Sequence, residues 1–105
     1  MRRLIYLSDA QTALRDISVY IAQETGDRAL ARRFIDTIRD RCRKLAALPG
    51  HLGSARPELH EDVRSVVHRG YIIFVRYEAN TLQIVTVLKA ERHIESYFTN
   101  TPPPH

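Results

Sequence analysis

A chain of 105 residues, 44% hydrophobic and 27% charged, has the length for one globular domain with one core and no room for a second folded unit. No apolar run approaches the roughly 20 residues that span a bilayer, and the basic-then-apolar start from Met1 to Leu7 is broken by Asp9 and Gln11 too early for a secretory leader. The single Cys42 excludes an internal disulfide and fits a reducing cytoplasm, while a net charge of +4 favours an acidic partner without choosing between protein and nucleic acid.

Residues 3 to 7 are β-prone and alternate loosely, which predicts a short first strand. Ser8 then stands where an N-cap is wanted, with Gln11 at the capping-box spacing. Ala10, Ala13, Leu14, Ile17, Tyr20 and Ile21 recur at intervals of three and four, so a first helix follows, with Arg15, Asp16 and Gln23 off its stripe. Gly26 suits the left-handed residue that ends a helix, and Asp27 suits the cap of the next. That second helix carries Ala31, Phe34, Ile35, Ile38, Cys42, Leu45 and Leu48 on one side and stops at Pro49-Gly50. Its length comes to about 31 Å at the usual rise. So short a connection makes the two helices an antiparallel hairpin. Arg28, Arg32, Arg33, Arg39, Arg41, Arg43 and Lys44 cover the other faces of the second helix. A solvated surface with pairs such as Arg32–Asp36 and Asp40–Lys44 explains them better than a nucleic-acid stripe, because no aromatics interleave. Cys42 falls on the apolar stripe as a core filler.

Residues 49 to 62, with Pro49, Gly50, Gly53 and Pro57, read as a loop leading into a sheet. Tyr71-Ile72-Ile73-Phe74-Val75 is an unbroken bulky run, the mark of a strand covered on both faces. Val63 to His68 and Leu82 to Leu88 flank it across turn signals at Arg69-Gly70 and Ala79-Asn80, giving a three-strand meander with a buried middle strand. Glu91 to Phe98 is compatible with a short C-terminal helix, Ile94 and Phe98 lying four apart. The predicted order is β-α-α-β-β-β plus that helix: an α+β domain over residues 1–99, its helical hairpin packed on a mostly antiparallel sheet, and a flexible tail at 100–105.

No phosphate-binding glycine loop and no zinc helix motif is present, and the histidines at 51, 60, 68, 93 and 105 include no pair at metal-binding helical spacing. Neither a cofactor nor a metal is expected. Nor does any context assemble a Ser/His/Asp nucleophile. A metal-free ribonuclease needs a base, an acid and cations for the phosphorane charge. Glu58 or Glu61, His93, and Arg64 with Arg76 offer those types. Period two puts Arg64 on one strand face with Val66 and His68, opposite Val63, Ser65 and Val67; which face the helices cover is open.

Several stretches together resemble one known family. Ala13-Leu14-Arg15-Asp16-Ile17-Ser18-Val19-Tyr20-Ile21 is similar to its first helix. Leu45, Pro49, Gly53, Arg56-Pro57-Glu58-Leu59 and Val63-Arg64-Ser65 follow its connection from helix to sheet. Tyr71 to Tyr77 resembles its central strand, and Ile84 to Leu88 with Arg92, Ile94 and Phe98 its closing strand and tail. The order and spacing resemble the ParE/RelE superfamily of toxins from type II toxin–antitoxin modules, and the ParE branch most. That family commonly follows the closing strand with a His-Gly-Ala-Arg-Asp type run; Lys89-Ala90-Glu91-Arg92-His93 stands here, with Arg92 alone kept.

The resemblance implies a toxin neutralised by a ParD-like antitoxin encoded in the same operon, with DNA gyrase inhibited by binding and no catalysis. Arg28, Arg32 and Arg39 are the candidate antitoxin contacts, and Lys89, Arg92, His93 and Tyr97 the candidate target contacts. The alternatives are a RelE-like ribosome-dependent endoribonuclease, for which Arg64, Arg76 and His93 would serve, and a toxin-derived binding module without activity. The absence of lysine between residues 49 and 62 leans away from the ribonuclease. A cytoplasmic protein with no membrane association and no sequence-specific nucleic-acid binding of its own is expected on each of these readings.

Overall fold

The computed structural model describes residues 2–90; the expected C-terminal helix, the tail from 100 and the candidates Arg92, His93 and Tyr97 lie outside them. Strand β1 (Arg3–Tyr6) is followed by helices α1 (Ser8–Thr25) and α2 (Arg28–Ala47). The chain then forms β2 (Ser54–Ala55), β3 (Arg64–His68), β4 (Tyr71–Glu78) and β5 (Thr81–Lys89). The strands form one mixed sheet in the order β1-β5-β4-β3-β2. β1 runs parallel to β5, and each of the other pairs is antiparallel. This is the expected α+β architecture with one strand more than expected: Ser54 and Ala55, inside the presumed loop, pair with Ser65 and Arg64. Two residues carry no readable period, so such a strand is invisible to periodicity.

The helix ends differ in how they are made. Gly26, at φ 68°, closes α1 through its N–H to the Ala22 carbonyl, and the Asp27 carboxylate accepts from the Leu30 N–H at 2.9 Å to open α2. The capping box at Ser8 does not form. Leu7 is still extended and its N–H is bonded to Ile84 of β5. The sheet therefore holds the chain until Ser8 is already the first helical residue. Gln11 instead turns its amide back to the Tyr6 carbonyl at 3.1 Å.

The core splits across the sheet. On the helical face, Leu14, Ile17, Ile35, Ile38, Cys42 and Leu45 pack on Val66, Ile73, Val75, Leu82, Ile84 and Val87. On the opposite face Val63, Phe74 and Val85 form a smaller cluster with Leu7, Leu59 and Leu88. The middle strand is covered on both sides, as its unbroken apolar run required. A register shift opposite Phe74 and Val75 pairs them with Thr86 and Ile84 and leaves Val85 as an extra residue. This bulge lets Ile84 and Val87, three apart, face the helices together. Arg69 and Gly70, at φ 47° and 84°, make the tight β3–β4 turn. Two residues of the predicted stripes are displaced outward: Tyr20 is 46% and Leu48 50% exposed. Leu48 lies past the last turn of α2. Of the expected ion pairs on α2, neither Arg32–Asp36 nor Asp40–Lys44 forms; Asp40 pairs with Arg43 instead.

Candidate functional site

The antiparallel packing of α1 on α2 leaves a groove of about 700 Å³ along their outer junction. Leu14, Val19 and Ile35 give it an apolar floor, and Tyr6 of β1 lies at its base. Arg15 and Ser18 rim it from α1, and Arg32, Asp36 and Arg39 from α2. Val19, 50% exposed, is an apolar side chain left in the open by the fold. Arg39 lies over the Tyr6 ring, its guanidinium carbon 5.1 Å from the ring centroid. The phenol end of Tyr6 is buried beside the Cys42 thiol. Burial pushes the Tyr6 hydroxyl up to about 12 and the Cys42 thiol up to about 11, so neither ionises near neutrality and Cys42 is no nucleophile.

Of the expected antitoxin contacts, Arg32 and Arg39 line this groove, whereas Arg28 is exposed on the first turn of α2 outside it. Arg15, Tyr6 and Val19 were not singled out from the sequence. Val19, an apolar residue off the first-helix stripe, was the available signal.

Lys89 sits at a second, smaller depression of about 380 Å³ between α1 and the end of β5, with Asp16, Ile17, Tyr20, Tyr71 and Val87. Its ammonium nitrogen lies 5.2 Å from the centre of the Tyr20 ring.

The two arginines considered for phosphate binding do not converge. Arg64 is paired with Val75 in register, and Val75 faces the helices. Its guanidinium donates to the Leu52 and Gly53 carbonyls at 3.1 and 2.9 Å and so ties down the α2–β2 connection. Arg76, one residue beyond Val75, points to the other face. It is 8% exposed there, with Asp62 and Glu78 carboxylates 3.8 and 3.6 Å away. A sheet separates the two guanidinium groups. Among the described residues no group of His, Cys, Asp and Glu is arranged to hold a metal ion, and no helix is long and apolar enough to cross a membrane.

A helical hairpin on one face of this mixed sheet is the fold of a chain in the structure of the chromosomal ParDE TA system from P. aeruginosa. The two match with a TM-score of 0.72 over 87% of this chain and 98% of that one, at 19% sequence identity. No curated protein sequence matches significantly. The family model for the ParE toxin of type II toxin-antitoxin system, parDE, matches residues 4–94. The chain belongs to that family, on the ParE branch of the type II toxins.

Proposed function

We propose that this protein is a toxin that arrests growth in the cytoplasm by binding and inhibiting DNA gyrase, and that a ParD-like antitoxin neutralises it from the groove between α1 and α2. The observation that carries the antitoxin half is that groove: an apolar floor with arginines on both banks fits the apolar face and acidic flanks of an amphipathic helix. Tight neutralisation calls for a specific interface of at least ~1,200–2,000 Å² in total. The groove fills only part of that, so the antitoxin is expected to reach further over the molecule. A complex whose partner touches neither helix would sink this placement.

The gyrase half rests on membership of the ParE family and on what the sheet lacks. Arg64 and Arg76 lie on opposite faces and are engaged by backbone carbonyls and carboxylates, which does not favour a phosphate clamp. The test is to express the protein without a partner, follow growth, and assay supercoiling by purified gyrase beside the integrity of ribosome-bound messenger RNA. Inhibited supercoiling with intact messages is expected. Codon-positioned cuts with unaffected gyrase would replace this reading by the ribonuclease, and undisturbed growth by a binding module without toxicity.

A further inference from the structure

The groove between the helices carries more positive charge than its own chain neutralises. Arg15, Arg32 and Arg39 all line it, and none is in an ion pair among the described residues. Asp36 also lines the groove, four residues after Arg32 and three before Arg39, and pairs with neither. Arg15 and Arg39 lie at nearly equal distances along the hairpin from the Gly26-Asp27 turn, which places both at the end of the groove away from it. Arg32 stands alone nearer the turn. Between the two ends lie Val19 and Ile35. Arg32 and Arg39 are seven residues apart on α2, two turns, or about 10.5 Å along the axis.

We propose that this groove selects its partner by a spacing. It takes a helix bearing two carboxylates seven residues apart with apolar side chains between them, one carboxylate held by Arg15 with Arg39 and the other by Arg32. This rests on the antitoxin reading above and adds to it the pattern that the antitoxin helix must carry. Residues four or seven apart on a helix share a face, but only those seven apart also match the roughly 10.5 Å that separates Arg32 from Arg39 along α2, so that spacing brings both carboxylates to cations while the intervening residues meet the apolar floor. Asp36, on the rim between the two ends, repels a carboxylate placed midway and enforces the pattern. Arg39 is the anchor that sets the register. Laid on the Tyr6 ring, its planar guanidinium is already oriented and loses less freedom on capturing a carboxylate than a free arginine does. Tyr6, with its phenol end buried, is the positioning residue.

The test uses the full chain and three acetylated, amidated helical peptides of equal length and net charge, titrated calorimetrically at low and moderate salt. Each carries the same leucine pair. One has glutamates seven apart, one has them four apart, and one has glutamines at the seven-apart positions with its glutamates moved to the far face. The seven-apart peptide is expected to bind about tenfold or more tighter than the other two, the scale seen for close charge pairs across an interface. That preference should vanish in Arg39→Gln and in Arg32→Gln and persist in Arg33→Gln, which changes an exposed arginine outside the groove. Tyr6→Leu should weaken the preference and Tyr6→Phe should keep it, each variant being checked by its denaturant melt. Equal binding of the seven- and four-apart peptides, or an undiminished preference in Arg39→Gln, overturns the spacing. Failure of all three peptides to bind overturns it too. Growth arrest is scored separately. Arrest without a spacing preference sinks the proposal and spares the toxin reading, whereas a preference without arrest spares the proposal and sinks the toxin.

Discussion

Gly53 passes against the backbone of β3, where a Cβ would lie 2.8 Å from the Ser65 carbonyl oxygen, and its φ of 91° is one that side chains avoid. Gly50, three residues earlier, has a comparable φ of 80° but open space around it. Gly50→Ala is therefore expected to cost about 1 kcal/mol from backbone strain alone, and Gly53→Ala about 2–3 kcal/mol because Ser65 must also move. Urea melts of the two variants check this; equal losses would mean that the close approach to Ser65 does not matter. His68 makes a second prediction at this scale. The Thr37 hydroxyl donates to the Phe34 carbonyl at 2.6 Å and so must accept from His68 Nε2–H at 3.0 Å. Burial, with Arg69 and Arg41 nearby, lowers the pKa of His68 below its ordinary 6.5. A group whose pKa is depressed on folding contributes stability that is complete above the unfolded value and is lost as pH falls through the folded one. The urea midpoint should thus decline as the pH is lowered below about 6.5, and His68→Gln should flatten that decline. A midpoint equally pH-dependent in the variant would remove His68 as the cause.

Among the elements, β4 is the one most dependent on its neighbours. Ile73 and Val75 face the helices with no exposed surface, and Phe74 between them fills the cluster on the other face. Ile73→Ala should cost about 2–4 kcal/mol and Val75→Ala somewhat less, through lost burial and the cavity left behind. For a domain of this size that approaches much of its total stability. Loss of toxicity in either variant would report unfolding and not a contact with the target. Two silent melts would contradict the packing of β4. The elements also show where local signals served and where they did not. Asp27 caps α2 as its side-chain chemistry dictates, because nothing else competes for the start of that helix. Ser8 does not cap α1, because pairing of Leu7 with Ile84 decides where the strand gives way. A hydrogen bond to a strand some 80 residues away overrides a favourable local sequence.

At the scale of the whole molecule the charge is uneven. The chain carries a net +4, and Arg15, Arg32 and Arg39 gather part of that charge at the groove. An acidic partner is drawn to that side before contact. Arg28, exposed and outside the groove, belongs to this long-range field. Arg28→Gln should lower the association rate with an acidic partner and its salt dependence, and leave the dissociation rate nearly unchanged, whereas Arg39→Gln should raise the dissociation rate. Stopped-flow traces at two ionic strengths separate them. A faster dissociation in Arg28→Gln would place that residue in the interface itself.

What the sequence determined by itself is local and periodic: two amphipathic helices joined at Gly26-Asp27, a bulky strand with covered faces, its two flanking partners, and an inert Cys42 on the apolar stripe. Each follows from side-chain chemistry acting within a few residues, and the order and spacing of those pieces already resembled the ParE branch. What only the tertiary structure decided depends on which surfaces meet. Arg64 turned out to brace the α2–β2 connection, and Arg76 to lie across the sheet from it, because the pairing of Arg64 with Val75 places the first under the helices and the second away from them. Period two tells that neighbours alternate, but not which face is covered. Arg15, Arg32 and Arg39 share one groove, with Arg39 laid on Tyr6, because the hairpin folds back over β1. That convergence joins residues from three elements, and no spacing along the chain encodes it.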